Sequence, residues 1–319
     1  ISVMPPLDKN DFRLFSICTI IIAAATFVTL LGSIFVIFLP LILFYHHIST
    51  GFLKTCCVFL VSLIIFFPLG IFFQHTIPYP EILTLGLSGT VMAAIVRKGG
   101  SFQKTVSLTS FTVLSLVGAF LLYSAHAQNT TIAQIIKSYV AEAIQYNLEM
   151  YSRLPLGREN INLVLENSQN IIDILVRIFP SLIVVLCVFT VWFNLLLGRN
   201  LLRQKGILLS RLNYLSNWSA PEFVIWIFIA SGALIFWGNY QLSSLGMNLM
   251  IIVCFVYLLQ GLAIISFIFQ NKNAPLLFRY LIYFFIAVQQ FFMLAVVAVG
   301  LLDIWVDFRK FFQNKNIVA

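Results

Sequence analysis

The 319-residue chain is 61% hydrophobic and only 9% charged, with a mean hydropathy of +0.99, whereas soluble domains carry about 25% charged residues. That balance excludes an ordinary soluble domain. The net charge of +8 does not indicate a nucleic-acid partner, because no basic patch is interleaved with exposed aromatics on a soluble domain; Lys and Arg instead mark cytoplasmic loops of a membrane protein.

In chain order, Ile1 to Arg13 is a polar leader, and Leu14 to Leu31 is the first apolar run. After Gly32-Ser33 comes Ile34 to Tyr45, with Pro40 in its middle. Continuous helix over both runs would reach about 48 Å at 1.5 Å per residue, longer than a bilayer core, so two passes are expected, the second short or partly re-entrant. His46-His47 and Lys54 precede Thr55 to Gln74, and a turn holding Pro78 and Pro80 leads to Ile82 to Val96. The basic loop Arg97-Lys98-Gly99-Gly100 then precedes Thr105 to Tyr123.

Ala125 to Asp173 is the one long polar stretch. Ile132, Ile135, Ile136, Tyr139, Val140 and Ala143 recur at helical spacing after a Thr130-Thr131 cap, which predicts an amphipathic helix. Pro155 and Gly157 break the pattern, and a second periodic set follows, so an amphipathic helical hairpin at the membrane surface is expected. The span Ile174 to Leu197 comes next. The loop Arg199 to Asn217 then carries Arg199, Arg203, Lys205 and Arg211 without an acid. Pro221 to Tyr240, Met247 to Phe269 and Leu281 to Leu302 complete the apolar runs, the last two free of charge. Runs of about 20 apolar residues match a hydrocarbon core, and only helices or closed barrels satisfy the backbone there. The expected fold is an all-α polytopic integral membrane bundle of eight or nine spans. It divides into an N-terminal bundle over 1–124, an extracytoplasmic insertion over 125–173 and a C-terminal bundle over 174–319.

Counting from the Arg199 loop as cytoplasmic gives every loop and the N-terminus the side that its basic residues demand, except the last. Crossing Leu281 to Leu302 puts Arg309, Lys310 and Lys315 outside. Either the tail is an exception to that bias or one apolar run does not cross fully, with the short Ile34 to Tyr45 as the candidate.

Small residues four apart, Gly86 with Thr90 and Ala94 and Gly89 with Ala93, form stripes suited to close helix packing, internally or against a partner subunit. The polar residues within spans are few. Tyr257, Gln260, Gln289 and Gln290 lie on the last two runs, where they could line one ligand-binding cavity. Asp303 and Asp307, one turn apart, require something positive or hydrogen-bonding opposite them, with Arg309 and Lys310 as candidates; together with Trp218 and Pro221 they are read as a structural clamp at the membrane boundary. No nucleophile, metal-ligand cluster or cofactor motif accompanies them, so no catalytic residue, metal or cofactor is expected. The five cysteines fall in apolar runs and read as small hydrophobes.

The basic loop followed by Trp218-Ser219-Ala220-Pro221, then Leu259 to Ile265, then Gly300-Leu301-Leu302-Asp303 running into Asp307-Phe308-Arg309, resembles the YybS-like family of bacterial membrane proteins. Leu39-Pro40 and Gly86 to Lys98 extend that resemblance over most of the chain. The N-terminal half is in turn similar to S components of energy-coupling-factor transporters. That similarity implies a bundle that captures a small hydrophobic or amphipathic solute in a cell inner membrane and docks on a partner transmembrane subunit driven by an ATPase. A membrane scaffold that recruits partner proteins is the alternative expectation.

Overall fold

The computed structural model describes residues 9–27, 34–72, 79–152, 167–209, 212, 218–237 and 239–314, and among these every extended regular element is an α-helix. In chain order they are α1 (Lys9–Phe27), α2 (Leu39–Thr50), α3 (Phe52–Phe72), α4 (Tyr79–Arg97), α5 (Phe102–Ala127) and α6 (Ile132–Ser152). Then come α7 (Ser168–Gln204), α8 (Val224–Trp237), α9 (Tyr240–Asn271), α10 (Leu276–Val288), α11 (Gln290–Val306) and α12 (Phe308–Asn314). Local chemistry sets several of these boundaries. The side chains of Ser101 and Asn239 accept from the amides of Lys104 and Leu242 and so start α5 and α9. Pro40, in the first turn of α2, opens a helix where it costs no hydrogen bond.

Among the described residues, α4, α5, α7 and α9 are long and apolar enough to cross a membrane. The helices α10 and α11 pass that test only as a pair bent by 103°, and Ile34–Thr50, Phe52–Phe66 and Val224–Trp237 are shorter apolar segments. Large apolar side chains such as Phe236, Trp237, Leu277 and Phe291 lie exposed on the helix surfaces, an arrangement suited to lipid rather than to water.

The chain forms two compact units, one from Ile1–Ile132 with Leu186–Asn213, the other from Ala133–Val185 with Tyr214–Ala319. In the first, Cys18, Ile22, Leu39, Leu43, Phe59 and Ile82 form one apolar cluster, and Phe44, Met92, Val113, Val191, Leu195 and Leu202 form another. The small-residue stripe of α4 serves internal packing. A Cβ on Gly86 would overlap the Phe59 ring, and one on Gly89 would stand 2.5 Å from the Pro40 carbonyl oxygen. Asn194 donates to the Ile37 carbonyl at 2.9 Å, occupying an acceptor in the turn ahead of Pro40.

In the second unit α8 and α9 pack closely, with Val224, Val253 and Tyr257 buried together and the Phe228 ring edge-on to Tyr257 at 6.3 Å. The helix α7 contains Pro180. One residue on, Asn248 of α9 inserts its carboxamide between two main-chain groups of α7, accepting from Ser181 N–H at 2.9 Å and donating to the Arg177 carbonyl at 2.8 Å. Backbone groups loosened near a proline are thus satisfied from a neighbouring helix, as an apolar medium requires.

Two sequence expectations change. Leu281 to Leu302 is not one straight helix: Gln289 takes an extended backbone, φ −100° and ψ 112°, between α10 and α11. The adjacent glutamines make this the point of lowest apolarity in the run, where a break is least costly. Asp303 and Asp307 also do not share one helical face, because α11 ends at Val306 and Asp307 is a left-handed C-cap with φ 46°, a conformation that Asp tolerates better than most side chains. The helix after Thr131 forms where its spacing predicts, while Pro155, Gly157 and most of the second periodic set lie outside the described residues.

Candidate functional site

In the second unit, Gln260 joins three segments. It is 2% exposed; its Oε1 accepts from the Ala220 amide at 3.2 Å and its Nε2 donates to Asp303 Oδ2 at 3.0 Å. The other carboxylate oxygen of Asp303 accepts from the Phe308 amide at 3.0 Å, bridging the turn from α11 into α12. Arg309 donates to the Trp218 carbonyl at 2.5 Å. The segment before α8 is therefore tied twice, through Gln260 to α9 and through Arg309 to α12. Pro221, one residue past Ala220, is exposed.

This arrangement depends on how closely α9 and α11 approach. A Cβ on Gly300 would overlap the Tyr257 carbonyl oxygen, and one on Gly261 would overlap that of Val296. Only glycine permits that separation, and it carries Asp303 to Gln260. Asp307 pairs instead with Lys310, Nζ to Oδ2 at 2.6 Å. The Lys310 hydrogen bond holds the Asp307 carboxyl below the usual range, and Asp307 raises Lys310 in return. Of the five residues expected to form a clamp, Trp218, Asp303 and Arg309 take part in these contacts around Gln260, whereas Pro221 is exposed and Asp307 pairs with Lys310.

The four residues expected to line a cavity are separated. Tyr257 and Gln260 are buried on α9, whereas Gln289 and Gln290 are exposed at the bend. Gln290 opens α11 thirteen residues before Asp303, about 20 Å along the helix at 1.5 Å per residue. Gln260 has both amide ends engaged within the protein. The Tyr257 hydroxyl is fully buried and makes no hydrogen bond among the described residues.

The first unit holds a second polar centre that sequence reasoning missed. Asp11, 1% exposed, sits 3.1 Å from His46 Nε2 and 3.2 Å from Lys54 Nζ. His46 Nδ1 lies 2.8 Å from Thr55 Oγ1 and 2.9 Å from Thr50 Oγ1. Both hydroxyls already donate to carbonyls, Thr55 to Gly51 and Thr50 to His46, so they accept from a proton on Nδ1. Asp11 falls in the polar leader and His46 in the short stretch before Thr55 to Gln74; their spacing of 35 residues gives no local signal.

Residues 16–304 match the sequence pattern of the family described as Predicted membrane protein (DUF2232). The chain belongs to this family. The DUF2232 match takes in Gln260, Asp303 and the Gly261 and Gly300 contacts, and it stops before Asp307 and Arg309. Membership agrees with the exposed apolar helices in making this a helical membrane protein. No curated protein and no solved structure matches the chain.

Proposed function

We propose that this DUF2232 protein is a multi-pass protein of the cell inner membrane that binds a small hydrophobic or amphipathic solute, with the N-terminal unit working in the manner of an S component and a partner ATPase supplying energy. Its finer kinship would be with the YybS-like family. Four helices, or five with the bent pair, are long and apolar enough to cross; the reading of eight or nine spans further takes the three shorter apolar segments and α1 as membrane elements.

The observation that carries the reading is a set of buried polar atoms in the first unit without a hydrogen-bond partner among the described residues: Thr109 Oγ1, Ser110 Oγ and Asn194 Oδ1. Each lies within one helical turn of Val113 or Leu195, which share an apolar cluster. A buried unsatisfied group costs about 1–3 kcal/mol, and a solute with a polar end in apolar surroundings would recover that cost. Native mass spectrometry of the gently extracted protein tests this. A copurified small molecule that is lost on Thr109→Val with Ser110→Ala supports it; retention of the molecule in that variant counts against the site.

A scaffold is the second reading, favoured by Gln260 being spent on internal contacts rather than on a ligand. It predicts a stable protein partner in the same spectra and no small ligand.

A further inference from the structure

Contacts at the ends of the second unit bear on which side of the membrane its tail occupies. At one end Arg177, near the start of α7, donates to Ser243 at 2.8 Å and stacks over the Tyr240 ring at 4.6 Å, both in the first turns of α9. Lys137 pairs with Asp173 at 3.0 Å. By the loop charges these segments are extracytoplasmic. The tail makes its contacts elsewhere. Asn271, the last residue of α9, donates to the Phe312 carbonyl at 3.1 Å, and Arg309 donates to the carbonyl of Trp218, the residue that follows the basic loop. Asn271 directly precedes Lys272, and Phe312 follows Lys310 by two residues.

We infer that α10 and α11 form a re-entrant hairpin: the chain leaves the cytoplasmic face after Lys272, turns at Gln289-Gln290 and returns to the same face before Arg309. A true crossing would separate Asn271 from Phe312 by about the 30 Å of a hydrocarbon core, which a hydrogen bond of 3.1 Å forbids. The helix lengths agree. With 13 and 17 residues, α10 and α11 reach about 20 and 26 Å at 1.5 Å each, enough to enter the hydrocarbon region and return from it. The bend of 103° rules out one straight path.

The hairpin also removes the exception in the charge pattern. With eight crossings and a re-entrant pair, Lys272, Arg279, Arg309, Lys310 and Lys315 all fall inside, as the positive-inside bias requires. Contacts within the first unit obey the same rule independently: Asp11 in the first turn of α1 meets Lys54 in the first turn of α3, and Lys205 of the Arg199 loop lies over the Tyr45 ring at 4.9 Å. The non-crossing run is thus Leu281 to Leu302, and Ile34 to Tyr45 belongs to a full pass. The exposed carboxamides of Gln289 and Gln290 meet water or a protein neighbour, since polar side chains are costly against lipid.

This inference rests on the multi-pass reading but is independent of solute binding. The test modifies native lysines of the full chain in sealed inside-out vesicles and in right-side-out spheroplasts with a membrane-impermeant acylating reagent, read by peptide mass spectrometry. A detergent-permeabilised sample calibrates reactivity. Lys272 and Lys310 are both exposed. Their modification in the same preparation, opposite to that of Lys137, is the expected result. Modification of Lys310 from the face opposite to Lys272 overturns the hairpin. A Lys310→Cys variant probed with an impermeant maleimide repeats the measurement with a second chemistry, and the same two outcomes decide it.

Discussion

Gln260→Leu distinguishes a tie from a ligand contact. Leucine keeps most of the volume and removes both hydrogen bonds of the carboxamide. The bond to Asp303 has an ionised acceptor and is worth about 1.5–3 kcal/mol, and the orphaned Ala220 amide, half-buried, adds about 1 kcal/mol. The expected destabilisation is therefore about 3 kcal/mol. If Gln260 lay in a typical intramembrane environment, where an interhelical hydrogen bond averages about 0.6 kcal/mol, the two bonds together would give only about 1 kcal/mol. Equilibrium unfolding of the purified protein in mixed micelles, titrated with denaturing detergent, separates these values. A double-mutant cycle with Asp303→Ala isolates the pair and should return a coupling of about 1.5 kcal/mol or more. A coupling below about 0.5 kcal/mol, or unchanged stability of Gln260→Leu, would refute the reasoning and return Gln260 to the pool of ligand candidates.

Gly300→Ala should sharply lower the folded yield, because the new methyl meets main-chain atoms of Tyr257 that cannot move aside. Gly118→Ala, with nothing within 4 Å, should be neutral or stabilising by up to about 1 kcal/mol through helix propensity; size-exclusion profiles and thermal midpoints of the two variants compare them directly. Asn248→Leu strips Ser181 N–H and the Arg177 carbonyl of their cross-helix partners and should cost about 2 kcal/mol, visible in the same unfolding assay. Asp11→Asn removes the anionic partner of Lys54, whose side chain is 12% exposed and can turn toward water, so the loss should be about 2 kcal/mol rather than the 3–5 kcal/mol of a fully trapped charge; a midpoint within error of the parent protein would remove Asp11 from the first unit's framework. The lowered Asp307 carboxyl contributes stability that is complete above its unfolded value and disappears as pH falls through its folded one. Proteolysis of the tail should accordingly be constant near neutrality and faster below about pH 4.

The helical membrane class was readable from composition and run length, because lipid allows few backbone solutions and apolar runs declare them. Packing by Gly86 and Gly89 was readable too, since four-residue spacing places small residues on one face. Less was readable where a side chain answers a distant backbone group. Asn248 is a single polar letter in an apolar run, and its role follows only from its position opposite the main chain beside Pro180. Gln260 was singled out for its polarity, but a glutamine that lines a cavity and one that ties three segments together are the same letter. The break at Gln289 was hidden because both flanking helices are apolar, and hydropathy counts residues without registering direction.

The positions of these polar groups follow from the medium. Asp11, Lys54 and Asp303 each lie within one turn of a helix end, and their partners His46 and Gln260 reach them from other helices. Mid-helix contacts between spans are made instead by glycine and by neutral amides such as Asn194 and Asn248. A bundle assembled this way gains closeness between helices from small residues and fixes their order by ionic ties at the rims. Near-neutral replacement is therefore expected along the outward apolar faces, whereas single changes at rim carboxylates and their partners should alter stability most.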